Sequence, residues 1–269
     1  LFGKNASAGV ISIVTAKPDM DAYSGSVSAT VGNYDQLIVK GDVTGPISDN
    51  LAFSLFGSMN QRDGYYDNVE LGTEQNEIDR WSFRGQLLWA PTDQLELRMI
   101  VDGENLEEIC CGVANLVDGP TGDVVRALGG NLVPNEPFAY EGFYDFDPVT
   151  DIDTSGVSLD VTYDFETVTL TSITAYRTLD QTQLGDVDYT SARLVDPSQA
   201  NFSDTQIDTL TQEIRLTSAG DGNLSWMVGA FYFTEEVDVE GSFAYGDQFR
   251  AYADGLSGGA VTTLENIAG

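Results

Sequence analysis

The chain has 269 residues, 42% of them hydrophobic, a content that excludes general disorder and suits one large all-β domain or two ordinary ones. Twelve Lys and Arg against 43 Asp and Glu give a net charge of -31, which excludes a nucleic-acid partner and leaves cationic or metal-loaded ligands open. There is no histidine, so neither a Ser-His-Asp nor a Cys-His catalytic centre can be built and the commonest zinc ligand is missing.

In chain order, the first eighteen residues form a turn of small residues that runs into a strand. Gly3 and Asn5 suit turn backbone angles, Lys4 stands between them, and Ala6 to Gly9 carry almost no side-chain bulk, so the chain can pass close to another surface. Positions 10–15 (Val-Ile-Ser-Ile-Val-Thr) read as a buried strand.

From Tyr23 onward the sequence repeats an alternating segment and a turn. Tyr23, Val27, Ala29 and Val31 share a face, as do Leu37, Val39 and Val43, and then Leu51, Phe53, Leu55 and Met59 after a turn cluster at 45–50. A polar loop at 63–79 follows. Next, Trp81, Phe83, Leu87 and Trp89 alternate with Ser82, Arg84 and Gln86; the two tryptophans stand about 26 Å apart along a strand, a spacing that fits the two aromatic girdles of a membrane barrel. After a turn at 90–93, Leu95, Leu97, Met99 and Val101 alternate with Glu96, Arg98 and Asp102.

Val157, Leu159 and Val161 oppose Ser158, Asp160 and Thr162; a strand at 168–178 follows a very short turn. Leu210, Ile214 and Leu216 oppose Thr211, Glu213 and Arg215, and the last strand covers 226–235. The count is about nine, with faces left ambiguous at 168–178 and 226–233. No run of ~18 apolar residues occurs, so a helical span is excluded, whereas a barrel, whose signal is ~10-residue segments with one apolar face, is not.

The candidate chemistry lies between strands. Cys110 and Cys111 open the longest loop, 104–152, and are compatible with a vicinal disulfide, with free or intermolecular thiols, or with a soft-metal site that would lack ligands. Asp145, Asp147, Asp151 and Asp153 put four carboxylates within nine residues, read either as a solvated acidic loop or as hard-cation ligands if the loop folds back. Phe138, Tyr140, Phe143 and Tyr144 read as a ligand-stacking surface or as packing onto the barrel rim. No catalytic, cofactor-binding or metal-binding residue is assigned.

The opening segment Leu-Phe-Gly-Lys-Asn-Ala-Ser-Ala-Gly-Val-Ile-Ser-Ile-Val-Thr-Ala-Lys-Pro resembles the end of the plug domain of TonB-dependent outer-membrane receptors, with Ala8 where that family often has Gly and Ala16 inserted before Lys17. The resemblance continues, in order, through Asp63-Gly64-Tyr65, Arg84-Gly85-Gln86-Leu87, Ala90-Pro91-Thr92-Asp93 and Gln212-Glu213-Ile214-Arg215-Leu216 with Trp226 and Gly229. It implies a plug end at 1–18 marked by Gly3, Lys4, Asn5, Ala6 and Gly9, then at 19–269 the first part of an antiparallel transmembrane β-barrel of about 22 strands. It also implies a bacterial outer-membrane location, contact with outer-membrane lipid, uptake of a scarce nutrient such as a ferric siderophore, no catalysis, and energy from the TonB-ExbB-ExbD complex acting through a region ahead of this chain. The rival reading is a secreted or surface adhesin or glycan-binding module.

Overall fold

The computed structural model describes residues 13–113, 116–133, 136, 138–218 and 224–268. Gly3, Lys4, Asn5, Ala6 and Gly9 therefore lie outside the described residues. In chain order the elements are β1 (Ser24–Val31), β2 (Leu37–Ser48), β3 (Leu51–Arg62), β4 (Tyr66–Asn68), β5 (Thr73–Gln75), β6 (Ile78–Thr92), β7 (Leu95–Glu108), α1 (Pro120–Ala127), β8 (Glu141–Gly142), β9 (Val149–Asp164), β10 (Val168–Leu184), β11 (Asn201–Ser218), β12 (Met227–Glu240), α2 (Phe249–Ser257) and α3 (Ala260–Ala268). No described helix is long and apolar enough to cross a membrane, which says nothing of the strands.

Nine long strands form one antiparallel sheet in the order β1-β2-β3-β6-β7-β9-β10-β11-β12, each neighbour in the sheet being the next long strand in the chain. Among the described residues β1 and β12 do not pair, so the sheet is open at both edges. Directly opposed residues share a face, so the register extends each face across the sheet. Met59 faces Trp81, Leu51 faces Trp89, Trp89 faces Leu97, Leu97 faces Val161 and Val157 faces Tyr176, which makes one continuous apolar face. The ladder also settles the ambiguous strands: Leu170 and Tyr176 lie on that face opposite Leu216 and Leu210, and Val228 and Ala230 join it opposite Leu216 and Ile214.

The other face is polar and internally bonded. Asp102 takes two hydrogen bonds from Arg177, at 2.8 and 3.3 Å, and lies 3.9 Å from Arg84. Arg177 reaches Asp102 across the intervening strand because the residue between them is Gly156, where a Cβ would stand 2.7 Å from the guanidinium nitrogen. Toward one end, Ala52 and Leu88 are buried on this face beside Arg98.

The strands overrun several turns that turn-forming residues suggest. β2 continues through Gly45 and Pro46 to Ser48 with a register shift there, and β6 continues through Ala90 and Pro91 to Thr92 with another. A proline lacks only its own N–H, so a bulge lets the ladder resume beyond it. β7 runs on through Glu104, Glu107 and Glu108, placing them in the wall and not in the following loop, because β6 and β9 supply ladder partners on both sides.

Candidate functional site

The links at 49–50, 93–94 and 165–167 are short and share one end with the segment at 13–18, while all the long connections, 63–77, 109–148, 185–200 and the chain after β12, lie at the other, together with the short turn at 32–36.

At the short-turn end, Arg98 is buried and gathers the segment before β1. Its Nη2 donates to the Thr15 carbonyl at 3.0 Å, the Thr15 Oγ1 at 2.6 Å, the Ala16 carbonyl at 3.2 Å and the Gln86 Oε1 at 2.5 Å. Gln86 in turn donates to the Ala16 carbonyl at 3.3 Å, and Lys17 pairs with Glu96. The polar face of the sheet is thus the face that holds residues 15–17.

At the long-loop end the connections fold on one another into a cap. β4 pairs antiparallel with β5 and parallel with β8, so the loop before β6 joins the loop before β9. The joint is Asn68, fully buried: its Nδ2 donates to the Tyr144 carbonyl at 3.3 Å and to Asp147 Oδ1 at 3.1 Å, while its Oδ1 accepts from the Tyr144 and Glu70 amides. An amide side chain can serve donors and acceptors at once, as this junction of two loop backbones requires. Tyr66, Val133 and Tyr144 pack as a small core; the Tyr66 hydroxyl donates to the Val113 carbonyl and the Tyr144 hydroxyl accepts from the Val113 amide at 3.0 Å. Burial pushes the Tyr144 hydroxyl pKa up.

Cys110 and Cys111 are joined to each other in a vicinal disulfide, with Cys111 at φ 78°, in the left-handed region that favours glycine. Asn76 holds this turn by accepting from the Cys111 and Gly112 amides at 2.9 and 3.3 Å, and Thr150 Oγ1 donates to the Cys110 sulfur at 3.4 Å.

The four aromatic candidates do not form one surface. Tyr144 is 1% exposed and belongs to the cap core, a correction to its reading as a stacking residue. Phe143 is half-buried and Phe138 stands 82% exposed. Tyr144 meets Tyr189 edge-on at 6.1 Å, while Tyr140 joins a separate series in which Tyr34, Tyr65 and Tyr140 follow one another at 6.0 Å centroid spacing, with Tyr66 6.5 Å beyond and the Arg62 guanidinium 5.3 Å from the Tyr65 ring. The acidic run is also split: Asp151 and Asp153 lie in β9, while Asp147 accepts from Asn68 and Thr73 in the cap. Among the described residues, no group of acidic or cysteine side chains is arranged to hold a metal ion.

Sequence reasoning did not find the second half of the cap. α1 packs Val125 against Ala192 and Leu194, and Leu132, Phe249 and Tyr252 close over them. The loop 185–200 ties both neighbours together: Ser191 and Asn131 exchange hydrogen bonds, Gly246 N donates to the Leu194 carbonyl at 2.8 Å, and Gln248 Nε2 donates to the Leu128 carbonyl at 3.2 Å. Between these segments opens a cleft of about 440 Å³, walled by Tyr189, Tyr245, Phe249 and Tyr252 with Val125 and Asp188.

Asp188 lines it, and Asp145 and Asp186 lie near enough to Asp188 for their charges to interact. Burial raises Asp186, 3% exposed, to about 8, with the charges of Asp188 and Asp145 adding to the shift; burial likewise raises Asp145 and Asp188 to about 6. One oxygen of each has no hydrogen-bond partner among the described residues. The signal for them was in the sequence only as scattered acidic loop residues.

No family model matches the chain. Its structure is similar to the ferric yersiniabactin uptake receptor FyuA from Yersinia pestis, with a TM-score of 0.71 and 20% identity, over 90% of this chain and 35% of that one. In sequence it is 30% identical over 113 residues to an iron-regulated outer membrane virulence protein of Vibrio cholerae, which is 40% of this chain and 17% of that protein. It is also 30% identical over 102 residues to the ferrioxamine B receptor of Salmonella typhimurium, 37% of this chain and 13% of that protein. The chain therefore matches only a minor part of each relative's length. The nine-stranded sheet is the wall of an outer-membrane β-barrel, and its fold is that of the TonB-dependent receptors. The apolar face is then the lipid side, the polar face the lumen, and the cap extracellular.

Proposed function

We propose that this chain is the first part of the barrel of a TonB-dependent outer-membrane receptor that takes up an iron complex, a ferric siderophore, with residues 1–18 as the end of its plug and 19–269 as barrel. The observation that carries the reading is the joint arrangement of the wall: long connections at one end, an apolar face, and a lumenal face whose Arg98 clasps the segment leading into β1. The relatives support it, being named as receptors for ferric yersiniabactin and ferrioxamine B. In this reading the cap captures the ligand and the whole receptor passes it inward, driven by the TonB-ExbB-ExbD complex.

The test is uptake of radiolabelled ferric siderophores by cells carrying the complete reading frame, compared with a deletion of that frame. Saturable uptake that the deletion abolishes, and that collapses when the inner-membrane proton gradient is dissipated, is the expected result. Uptake that persists without the gradient, or no difference across neutral, cationic and anionic siderophore classes, overturns the reading.

A further inference from the structure

Wall and cap meet at Cys110 and Cys111, the only cysteines of the chain. β7 ends at Glu108, and Val113 already belongs to the cap core, its amide donating to the Tyr144 hydroxyl at 3.0 Å and its carbonyl accepting from the Tyr66 hydroxyl. Asn76 places the residues between: its amide donates to the Ile109 carbonyl at 2.8 Å and its Oδ1 accepts from the Cys111 and Gly112 amides. Gly112 lies so close to the Tyr66 ring that a Cβ there would stand 2.6 Å from it. A change of chain direction at Cys111 is therefore carried straight into the contacts of the cap core.

Cys111 takes its direction at φ 78°, a left-handed conformation that glycine adopts freely and that costs a residue with a Cβ. Its bond to the neighbouring sulfur closes a ring through this backbone, so the disulfide holds a conformation that an open cysteine disfavours. The two sulfurs are not equivalent. Cys111 is exposed, whereas Cys110 is half-buried and its Sγ accepts from Thr150 Oγ1 at 3.4 Å. Thiol–disulfide exchange is fastest where the attacked sulfur is accessible and the departing sulfur is stabilised as a thiolate. Cys111 offers the first and Cys110 the second.

We propose that the Cys110–Cys111 bond is a reaction site for small thiols and, through that reaction, a redox latch on the cap. A thiolate attacks Cys111 Sγ, and the sulfur–sulfur bond breaks with its electron pair leaving on Cys110 Sγ, beside the Thr150 hydroxyl, where a proton then joins it. A second thiol attacks the external sulfur of the mixed disulfide and releases Cys111. In sum, one protein disulfide and two external thiols give two cysteine thiols and one external disulfide, the two electrons and two protons coming from the external thiols. Cys111 then leaves the left-handed region, Gly112 and Val113 turn away from Tyr66 and Tyr144, and the cap loosens while the wall keeps its ladder. The inference goes beyond the uptake reading and does not depend on what the receptor carries.

The probe is 2-mercaptoethanol, applied to the complete receptor purified in detergent. Alkylation and mass analysis of the peptide carrying the pair report reduction, and hydrogen exchange reports the cap. Reduction of the wild type is expected to speed exchange at 66–76 and 109–113 by about tenfold, the order of the preference of an L-residue against the left-handed region, and to leave β6, β7 and β9 unchanged. Cys110→Ser with Cys111→Ser should show the faster exchange without any thiol and no response to it. Cys110→Ser with Cys111→Gly should be as protected as the oxidised wild type, since glycine keeps the turn without the ring, and this variant guards against a general folding defect. Thr150→Val should slow reduction severalfold without altering exchange in the oxidised cap.

A pair that resists 2-mercaptoethanol in the folded receptor overturns the reaction site. Reduction that leaves cap exchange unchanged, or a serine pair as protected as the oxidised wild type, overturns the latch. A serine–glycine pair as loose as the serine pair overturns the backbone mechanism on which the latch rests. Equal reduction rates in wild type and Thr150→Val overturn the assignment of Cys110 as the departing sulfur.

Discussion

The two ends of this barrel wall are organised by opposite charge. At the periplasmic end a buried cation, Arg98, has four acceptor oxygens within hydrogen-bond distance of its Nη2, which share that group's two N–H donors. At the extracellular end three carboxylates approach one another with oxygens left unpaired. The first arrangement is complete in itself and holds residues 15–17 against the wall. The second stores unfavourable desolvation, and such sites are relieved by protonation or by a cation from outside. The contrast teaches that rigidity and responsiveness are separated along the strand axis, the anchor below and the adaptable part above.

The largest expected effect separates cap from wall. Tyr144→Ala empties the cap core and should cost about 3 to 5 kcal/mol, the range for truncating a large buried aromatic. Hydrogen exchange on the complete receptor in detergent should show lost protection across 66–76 and 109–148, with β6, β7 and β9 unchanged; equal loss in the strands would mean that the cap and wall are one unit.

Leu97→Arg is the converse change, placing a charge on the lipid face beside Trp89 and Val161. About 2 to 4 kcal/mol should be lost from the membrane-inserted state, measured by urea unfolding from vesicles. A null result there would reverse the face assignment.

Arg98→Met should be smaller, about 1.5 to 3 kcal/mol, because it removes the charged donor shared by the Thr15 and Ala16 oxygens and Gln86 Oε1. Protease access at 13–18 should rise while the cap stays protected. Unchanged cleavage would show that Lys17 and Glu96 suffice as the anchor.

The smallest effect is that of pH on the cap. Asp145, Asp186 and Asp188 have folded-state pKa values raised above the ordinary 3.8, so the folded cap favours their protonated forms. That contribution is fully present below about 4 and is lost as pH rises through about 6 and then about 8. Amides of 186–192, corrected for intrinsic exchange, should therefore be better protected at pH 5 than at pH 8.5. Protection that increases with pH would contradict the shared burial of these groups.

The nine strands were legible in the sequence, and so were their faces except in β10 and β12, because alternation is local: a residue and its second neighbour share a side of the sheet whatever else the chain does. Trp81 and Trp89 needed no partner to be assigned outward, nor Arg84 and Arg98 inward. Strand ends were less legible, since Pro46 and Pro91 look like stops until a neighbouring ladder and a bulge carry the strand past them. α1 was not legible at all: it is eight residues long, opens at Gly119 and Pro120 as a loop would, and is held by Val125 against Ala192 and Leu194 from a loop beyond three further strands. The same holds for the site. Tyr144 reads as an exposed aromatic beside Phe143 until Asn68, from another loop, pins its backbone and buries its ring, and Asp145 reads as one of an acidic run until Asp186 and Asp188 arrive beside it. Period and polarity along the chain determined the wall by themselves, since each strand carries its own instructions; the cap was decided only by tertiary structure, because its contacts join segments that share no periodicity and meet only once the strands have set their ends side by side.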